Sequence, residues 1–594
     1  MKTPLELLRA YLHQNHLFAY IVPSNDPYFG EYIPDRYANR AWLSGFSGSA
    51  GTLAVTLDEA ALWTDSRYFI QAEQEMVGRG IELKKLKLTG TETIEEWLLA
   101  HCPESSRVGI DGALFSLPQF ERIKRELFPL SLVVDNDPFD HLWADRPKLP
   151  CNPAFLLDDT ITGASVQQKH QAIVTALKPC AQDFILPVIA LDEVAWLLNM
   201  RGADIPFNPL AIACAAVTQS AIHLFIQSEK LGTESVKTLE KQGVTIHPFD
   251  NFVPFLASYP KQAARVVCPE SWSVAHHAET IEKQEITITS DPKRGGTITH
   301  LKSQKNETEL NGFRLALRKE GVAWVRLWRF LEEHLPLGNL SEQILARKFK
   351  EFRSLDTDYC SESFSPIIGF AGNGALPHYA MNPNQETKIE ARGFLLIDTG
   401  GHYLCGTTDT TRTIALGPVT PQQKRDYTAV LKGMIQLSMA KFPSGTRGAQ
   451  LDILARGPIW AAGRSYLHGT GHGIGHFLNV HEGPQSIRME ENPTPLVPGM
   501  VLSNEPAIYV PDQYGIRTEN MILCKETETN DYGTFYAFET LTRCPIHTVA
   551  IDKEQLGKEA TKWLNDYHAT TLAQLSTMLQ PQEIEWLAQK TKPI

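Results

Sequence analysis

The sequence predicts a mixed α/β (α+β) protein with several domains. Its 594 residues exceed what one hydrophobic core accommodates, so about three or four domains are expected. Apolar runs typical of strands alternate with segments in which apolar residues recur at helical spacing. Stretches rich in proline or glycine interrupt this pattern and divide the chain into three regions, residues 1–155, 156–300 and 301–594.

The first region, residues 1–155, is predicted to begin with a helix followed by strands. An amphipathic helix is indicated by apolar side chains at helical spacing, namely Leu5, Leu8 and Leu12. A strand is predicted at residues 18–22, ending at Pro23. The glycine-rich stretch 45–51 fits neither a phosphate loop nor a nucleophile elbow, so we interpret it as a tight turn. Three prolines mark the end of the region: Pro147, Pro150 and Pro153.

The second region, residues 156–300, is interpreted as a diverged copy of the first. The apolar run 184–187, which ends in proline, resembles 20–23. The segment 193–197 likewise resembles 40–43, because both contain Ala-Trp-Leu. Charged residues and glycines at 291–296 indicate a second linker.

The third region, residues 301–594, is predicted to open with a long helix. Its apolar stripe is interpreted as core packing and consists of Leu310, Phe313, Leu317, Trp324, Trp328 and Leu331. Another helix is predicted to start at Thr420-Pro421, because threonine caps helices and proline suits the first helical position.

Composition limits the classes of partner and the compartment. The net charge of −12 argues against nucleic acid or an anionic membrane as the main partner. The nine cysteines are scattered without a CxxC pair, which predicts a reducing compartment. The first residues contain no apolar signal-peptide core, so we expect a cytoplasmic protein. The apolar window 210–226 contains polar residues and is predicted to form buried strands rather than a membrane span.

Two aspartates indicate a metal site at the ends of predicted strands. The apolar run 394–397 is predicted to be a buried strand that delivers Asp398. A returning strand, residues 407–416, would deliver Asp409. Such a hairpin would bring two carboxylates together, where they repel each other and one is driven toward protonation. Cations between them would remove this conflict.

Three further residues extend the candidate set: His472 among glycines, Glu505 before a proline, and Glu519. A lone aspartate after a strand usually caps a turn, so Asp398 by itself would be weak evidence. One imidazole with four carboxylates suits two divalent ions such as Mn2+, Co2+ or Zn2+. Two such ions can share and activate a water molecule.

The local sequences around these residues resemble those of the aminopeptidase P (Xaa-Pro aminopeptidase) family of pita-bread metallopeptidases, in its long, three-domain form. The motifs are Ile397-Asp398-Thr399-Gly400, Thr408-Asp409-Thr410-Thr411-Arg412-Thr413, His468-Gly469-Thr470-Gly471-His472-Gly473, Asn479-Val480-His481-Glu482-Gly483-Pro484, Glu505-Pro506 and Ile516-Arg517-Thr518-Glu519-Asn520. The resemblance implies two creatinase-type N-terminal α/β domains, then a pita-bread catalytic domain whose C-terminal extension covers about residues 534–594.

The resemblance also implies a role for each metal ligand. Asp409 and Glu519 would bridge two divalent ions, Mn2+ in the first place. Asp398 would complete one ion, and His472 with Glu505 the other. Glu505 would also take the proton of the attacking water and pass it to the leaving nitrogen.

Further residues are implied to bind substrate. His378, His468 and His481 would line the site, and His378 and His481 would bind the scissile carbonyl oxygen. The alternative for each is a structural histidine, which we prefer for His476. Two arginines complete the predicted set. Arg67 would reach a bound peptide, with a structural ion pair to Asp65 as the alternative, and Arg517 would orient a carboxylate ligand or the nearby backbone.

The predicted activity is removal of the N-terminal residue from peptides with proline at the second position. The resemblance implies a homodimer. One alternative is prolidase, which shares the ligands but cuts only Xaa-Pro dipeptides. An alternative of another class is a catalytically inactive pita-bread protein that binds peptides or acts as a chaperone.

Overall fold

The computed structural model describes all residues except 1, 87–89, 182, 261, 283–285, 287 and 383–385. The chain divides into two compact units. The first contains Met1–Asp158 and Ala164–Leu301, and the second contains Asp159–Gly163 and Lys302–Ile594. Within the described part of the chain, no helix has the length and apolar character needed to cross a membrane.

The first half of the first unit is a six-stranded sheet with helices. The strands are β1 (Ala19–Pro23), β2 (Thr52–Thr56), β3 (Ala60–Thr64), β4 (Glu82–Lys85), β5 (Arg107–Asp111) and β6 (Ser131–Asp135). The helices are α1 (Pro4–Gln14), α2 (Asn39–Ser44), α3 (Phe69–Glu75), α4 (Ile94–His101), α5 (Leu117–Glu126) and α6 (Phe139–Leu142). The strand order is β4-β3-β2-β1-β5-β6.

The next part of the chain forms a second six-stranded sheet. Its strands, with the separate pair β7 and β9, are β7 (Phe155–Leu156), β8 (Phe184–Val188), β9 (Met200–Arg201), β10 (Ala213–Thr218), β11 (Ile222–Ile226), β12 (Val244–Pro248), β13 (Ala264–Val267) and β14 (Ile288–Ser290). The helices are α7 (Asp159–Thr162), which belongs to the second unit, α8 (Val166–Leu177), α9 (Leu191–Leu197), α10 (Thr233–Lys241), α11 (Phe252–Ser258), α12 (Val274–Thr280) and α13 (Thr297–Ser303).

The two sheets share one topology. The second has the order β12-β11-β10-β8-β13-β14, which repeats the first strand for strand. The strand directions also agree. Strand β1 pairs antiparallel with β2 and parallel with β5, and β8 likewise pairs antiparallel with β10 and parallel with β13. The segments 20–23 and 184–187 lie in the corresponding first strands. The structure thus confirms the duplication that their sequences suggested.

The second unit contains most of its helices before and after its sheets. Besides α7, the helices of this unit are α14 (Glu307–His334), α15 (Glu342–Arg353), α16 (Pro421–Ser438), α17 (Gly448–Ala461), α18 (Lys553–Leu556), α19 (Lys558–Leu575) and α20 (Pro581–Lys590). The stripe predicted on α14 is buried throughout, which confirms its packing role. As predicted, Thr420 caps α16 and accepts a hydrogen bond from the amide of Gln423.

The strands of the second unit form one six-stranded sheet, two three-stranded sheets and one two-stranded sheet. They are β15 (Tyr359–Glu362), β16 (Ile367–Phe370), β17 (Phe394–Thr399), β18 (Gly401–Tyr403), β19 (Gly406–Thr407), β20 (Thr410–Ala415), β21 (Lys441–Pro443), β22 (Gly471–Gly473), β23 (Glu482–Ile487), β24 (Val501–Asn504), β25 (Ala507–Val510), β26 (Tyr514–Arg517), β27 (Asn520–Asn530) and β28 (Gly533–Thr540). The sheet order is β16-β17-β20 in one and β21-β28-β27-β24-β22-β23 in the longest.

Two predicted strands differ from the structure. The strand predicted at 18–22 is shifted by one residue, to β1. The continuous returning strand predicted at 407–416 is wrong, because it is broken between β19 and β20. The side-chain hydroxyl of Thr408 accepts a hydrogen bond from the amide of Gly401 at 2.8 Å. It does so in place of a backbone carbonyl, which would accept this bond in a regular β-ladder. Asp409 therefore lies in the break rather than within a strand.

Candidate metal centre

The side chain of Asp398 points away from the apolar layer behind its strand. Along β17, Leu395 and Ile397 join the cluster that contains Trp324 of α14. Side chains alternate between the two faces of a strand, so Asp398 projects on the opposite face. Its partner across the antiparallel pair is Thr411 of β20. The hairpin thus places Asp398 beside the strand that follows Asp409.

The other three candidate ligands come from the longest sheet and its margins. His472 lies on the short strand β22. The next residue of that strand, Gly473, pairs with Leu502 of β24. Glu505 follows β24 directly, and its amide donates to the carbonyl of Thr470 at 2.7 Å. Glu519 lies immediately before β27. Adjacent strand ends therefore bring these side chains to one place.

Three of the candidate side chains form a compact group. One ligand atom from each of Asp409, His472 and Glu519 lies within 4.8 Å of the others. The Nε2 atom of His472 is 3.5 Å from Asp409 Oδ2 and 3.5 Å from Glu505 Oε1. The fold therefore collects residues that are up to 110 positions apart in the sequence, from Asp409 to Glu519.

The tautomer of His472 suits a metal ligand. Its Nδ1 atom lies 2.9 Å from the carbonyl oxygen of Gly473 and donates there, since a carbonyl only accepts. In the neutral ring, Nε2 then carries a lone pair that faces the oxygens of Asp409 and Glu505. Acceptors that face one another repel, and a cation among them reverses this interaction. A second hydrogen bond that fixes the tautomer is typical of metal-bound histidines.

Burial and mutual repulsion disfavour the charged forms of the carboxylates. Burial, followed by the charge of Glu519, raises the pKa of Glu505 to about 8. Burial, followed by the charge of Asp398, raises the pKa of Asp409 well above its usual range. The pKa of Glu519 is raised by burial and by Asp409. Divalent cations would offset both effects, because they supply the opposite charge.

Asp398 is held by Arg517 on one side. Arg517 Nη2 donates to Asp398 Oδ2, and Arg517 Nη1 donates to the hydroxyl of Tyr509 at 2.5 Å. The other oxygen, Asp398 Oδ1, is buried and has no hydrogen-bond partner among the residues that the structure describes. A buried oxygen without a partner is costly, and a cation would satisfy it. Oxygen ligands with one imidazole fit divalent ions such as Mn2+.

A threonine connects the two sides of this group. The hydroxyl of Thr411 donates to Glu519 Oε2 at 2.7 Å and accepts from Arg517 Nε at 3.2 Å. Arg517 was predicted to contact a carboxylate among the candidate ligands, and it donates to the carboxylate of Asp398. A role of Arg517 in binding substrate stays a prediction.

The predicted substrate histidines have different surroundings. The ring of His481 meets that of His472 edge to face, with centroids 4.3 Å apart. His468 donates from Nδ1 to the carbonyl of Gly469 at 2.7 Å, and its Nε2 lies 2.9 Å from the hydroxyl of Tyr509. His378 lies in the turn after the 3-10 helix Ala371–Ala375. His476 is buried and packs against Phe313, as a structural histidine would.

Arg67 lies in the first unit and forms an ion pair with Asp65, which was the alternative to a contact with a peptide. Its Nε and Nη2 atoms donate to the two carboxylate oxygens of Asp65, both at 2.8 Å. Such a bidentate pair fixes the guanidinium. The predicted contact of Arg67 with a peptide stays a prediction.

Some contributors were not foreseen from the sequence. Tyr509 joins Arg517 to His468, although its strand β25 reads as an ordinary apolar segment. Ser503 accepts from the amide of His472 at 3.0 Å and donates to Glu505 Oε1 at 3.3 Å. No sequence signal marks either residue, because each acts through contacts made only in the fold.

The loop that carries His468 is held from behind by α17. Arg456 donates to the carbonyls of Tyr466 and His468 at 2.6 and 2.7 Å. Asp452 accepts from Arg456 and also from Thr470 Oγ1 at 2.5 Å. The carbonyl of Thr470 in turn receives the amide of Glu505. This buried pair therefore supports both His468 and Glu505.

A second buried ion cluster follows His481. Both carboxylate oxygens of Glu482 are paired, Oε2 with Lys302 Nζ at 2.7 Å and Oε1 with Lys305 Nζ. All three side chains are almost fully buried. The cluster fixes the chain at the residue next to His481.

Family models and full-length relatives match the protein along almost its whole chain. The family model for metallopeptidase family M24 matches residues 311–526, and the model for its C-terminal region matches 534–594. Models for the creatinase/prolidase N-terminal domain match residues 4–141 and 145–309. Xaa-Pro aminopeptidase 1 of Dictyostelium discoideum is 35% identical over 99% of this chain and 96% of its own length. The chain belongs to the aminopeptidase P family of M24 metallopeptidases.

Other members and solved structures support this assignment to the aminopeptidase P family. Aminopeptidase P2 of Arabidopsis thaliana is 35% identical over 97% of this chain and 86% of that protein. The crystal structure of X-prolyl aminopeptidase from Caenorhabditis elegans, described as a cytosolic enzyme with a di-nuclear active site, matches with a TM-score of 0.94 at 34% identity. It covers 100% of this chain and 99% of that one. The predicted family and fold, with creatinase-type N-terminal domains and a pita-bread domain, are confirmed.

One solved dipeptidase structure matches about two thirds of the chain. The structure of an Xaa-Pro dipeptidase from Bacillus anthracis covers 65% of this chain and 99% of that one, with a TM-score of 0.52 at 22% identity. This similarity shows a shared fold alone.

Proposed function

We propose that the protein is a dinuclear-metal aminopeptidase that releases the N-terminal residue from peptides with proline at the second position. The observation that carries this proposal is the arrangement of His472, whose Nε2 faces the carboxylates of Asp409 and Glu505 at 3.5 Å. The family relatives named Xaa-Pro aminopeptidase support the choice of substrate. The nearest alternative is prolidase activity, and an inactive peptide-binding protein would not need the full ligand set.

We assign five residues to two divalent ions, with Mn2+ as the proposed metal. Asp409 and Glu519 would bridge the ions, Asp398 would complete one, and His472 with Glu505 would complete the other. When bound, such ions act as Lewis acids and lower the pKa of a water molecule toward neutrality. Arg517 would hold Asp398 in place through its Nη2 hydrogen bond.

Glu505 is the proposed proton carrier. Glu505 Oε1 accepts a hydrogen bond from the hydroxyl of Ser503 at 3.3 Å. In the protein without ions, burial raises the pKa of Glu505 to about 8. A carboxylate in this position would accept a proton from the attacking water and deliver it to the leaving imino nitrogen. The pKa of such a group has to lie near the working pH for both transfers to occur.

His378 and His481 are the proposed donors to the scissile carbonyl oxygen. Donors placed where negative charge develops stabilise the transition state more than the bound substrate. His481 stands against His472, so it lies beside the proposed ion site. His468, fixed by Gly469 and Tyr509, would line the same pocket. Arg67 and Arg517 complete the proposed substrate contacts.

Proline selection has a physical basis. An acylated proline nitrogen carries no hydrogen, and its ring fixes φ near −65°. A pocket shaped to this ring would reject other residues at the second position. In an aminopeptidase the peptide continues beyond the pocket, whereas a prolidase caps the proline carboxylate. The length of peptide that is accepted therefore separates the two activities.

A single peptide series tests the proposal. Arg-Pro, Arg-Pro-Pro, Arg-Ala-Pro and N-acetyl-Arg-Pro-Pro are incubated with the Mn2+-loaded protein, and the products are identified by mass. We expect release of arginine from Arg-Pro-Pro, loss of most of the rate with Arg-Ala-Pro, and no reaction of the acetylated peptide. Hydrolysis of Arg-Pro alone would favour prolidase. Equal rates for the proline and alanine tripeptides would refute proline specificity.

We further propose a cytoplasmic homodimer. The nine cysteines are free, and a reducing compartment keeps thiols in this state. Ile453 and Trp460 are both 46% exposed on α17. Seven positions apart, they lie on one face of the helix and offer an apolar surface to a second copy. A light-scattering mass of one chain at micromolar concentration would contradict the dimer.

A further inference from the structure

Arg412 is a buried cation whose hydrogen-bond partners, among the residues that the structure describes, are all neutral. Its side chain is 1% exposed, and it lies on β20 three residues after Asp409. The five hydrogens of the guanidinium face four carbonyl oxygens, one amide oxygen and one hydroxyl, since the two hydrogens of Nη2 are shared among three acceptors. These acceptors are Pro545 O, Thr411 O, Glu519 O, Cys544 O, Asn520 Oδ1 and Tyr567 Oη, at 2.5–3.0 Å. Only arginine has a fork of donors that can reach so many acceptors at once.

One half of these contacts lies next to the candidate metal centre. Arg412 Nη1 donates to the carbonyl of Glu519 at 2.5 Å and to that of Thr411 at 2.8 Å. The carbonyl of Thr411 also accepts the amide of Glu519, and the hydroxyl of Thr411 holds Glu519 Oε2 at 2.7 Å. Arg412 therefore contacts the main chain of Glu519 directly and is linked to its side chain through Thr411.

The other half lies in the C-terminal extension, residues 534–594. Arg412 donates to the carbonyls of Cys544 and Pro545 and to the hydroxyl of Tyr567 on α19. That hydroxyl donates to Cys544 O at 2.7 Å and accepts from Cys544 N at 3.2 Å. A phenol has one hydrogen and two lone pairs, so these three bonds use its full capacity. Tyr567 thus locks residue 544 and the guanidinium together.

We propose that Arg412 and Tyr567 are positioning residues through which the C-terminal extension holds Glu519 in the geometry that binds metal. The inference rests on the proposed role of Glu519 as a ligand. Neither residue touches the reacting atoms. Their effect is transmitted by the main chain of Thr411 and Glu519, so loss of either should loosen the metal site before it unfolds the protein.

The mild test is Tyr567→Phe, which removes one hydroxyl and keeps the ring stacked on Trp563. The matched control is Tyr536→Phe. Tyr536 also belongs to the extension, but its hydroxyl bonds Ser444 and not Arg412. Mn2+ affinity of the metal-stripped proteins is measured by competition with a chromogenic chelator, together with thermal unfolding, kcat and KM. We expect about 10-fold weaker Mn2+ binding in Tyr567→Phe, the scale of losses seen for outer partners of metal ligands. In addition, kcat should fall with little change in KM, and Tyr536→Phe should bind Mn2+ like the wild type.

A second pair uses arginines. Arg412→Lys keeps the charge but cannot reproduce the fork, and Arg543→Lys is its control. Arg543 donates to the carbonyls of Thr540 and Thr542 and to Gln574, without contact to Glu519. The proposal is overturned if Tyr567→Phe binds Mn2+ within twofold of the wild type, or if both members of each pair lose affinity equally. Absence of Mn2+ binding by the wild type would also overturn it. A wild type that binds Mn2+ but does not cleave Xaa-Pro peptides would refute the proposed substrate and leave the affinity comparison decisive.

Discussion

The imidazole rings of His472 and His481 are in contact, with centroids 4.3 Å apart and planes at 82°. Their supports nevertheless differ. His472 is oriented by Gly473 so that Nε2 faces two carboxylates, while His481 precedes Glu482, which two lysines hold. Two adjacent rings with separate supports can serve separate purposes. One would bind metal and the other would act on the substrate.

The first prediction separates these two histidines. His481→Ala should lower kcat by about 100-fold or more, the scale found for loss of one oxyanion donor, with little loss of bound Mn2+. His472→Ala should lose metal, because it removes the nitrogen that faces Asp409 and Glu505. Bound metal is measured by elemental analysis beside steady-state kinetics. Equal loss of metal in both variants would show that the roles are misassigned.

The second prediction concerns the proposed bridging carboxylates. Asp409→Asn and Glu519→Gln should each abolish measurable activity and reduce the metal content, because a neutral amide is a poor bridge between two dications. Glu539→Gln is the matched control, since Glu539 pairs with Arg314 away from the candidate ligands. Metal content per chain and turnover of Arg-Pro-Pro are the measurements. Wild-type rates in either site variant would refute the assignment.

The sequence was informative where chemistry is local. Asp398, Asp409, His472, Glu505 and Glu519 each lie in a distinctive short motif, and the packed stripe of α14 repeats at helical spacing. The duplication was visible because the first strand of each sheet contains a proline near its end. Strand β1 ends at Pro23, and β8 has Pro187 as its second-to-last residue.

Long-range contacts were not predictable in the same way. Tyr509 bonds Arg517 and His468, and Arg412 bonds Tyr567 from 155 positions away. Such partners depend on where distant strands meet, which no local pattern encodes. The break of the returning strand at Asp409 was also missed. There the chain passes from one sheet to another, since β19 pairs with β18 and β20 pairs with β17, and no glycine or proline marks the point.

The third prediction is a pH dependence of the metal-free protein. The carboxyl of Glu505 has a pKa of about 8 when folded and 4.5 as its reference value. Between these values the unfolded chain has released a proton that the folded chain retains, so the free energy of unfolding falls as pH rises. The slope is about 1.4 kcal/mol per pH unit for each such group. Asp409 and Glu519 are shifted in the same direction.

The suitable window is pH 6.5 to 8. Below it, buried histidines oppose the effect, since burial lowers the pKa of His276, His547 and His568 to about 4. Chemical denaturation of the metal-stripped protein should show the decline across this window, and the metal-stripped Glu505→Gln variant should show a smaller one. Saturating Mn2+ should flatten it in the wild type. Parallel profiles for wild type and variant would contradict the raised pKa.

The last prediction concerns the cluster beside His481. Glu482→Gln would leave Lys302 and Lys305 buried without the carboxylate that both now contact. Loss of one partner of a buried ion pair costs about 3–5 kcal/mol, because the remaining charge stays out of water. Glu491→Gln is the comparison, since Glu491 forms an exposed pair with Arg447, a kind worth about 0–1 kcal/mol.

Unfolding free energies from urea titrations of the two variants measure the difference directly. The expected order has a physical reason beyond the number of bonds, because water screens the exposed pair and cannot reach the buried one. Since Glu482 follows His481 in the chain, the surviving folded Glu482→Gln protein should also show a lower kcat with its metal content retained. If Glu482→Gln were no less stable than Glu491→Gln, the lysines would have to be uncharged in the folded protein. In that case the cluster would not be the anchor of His481.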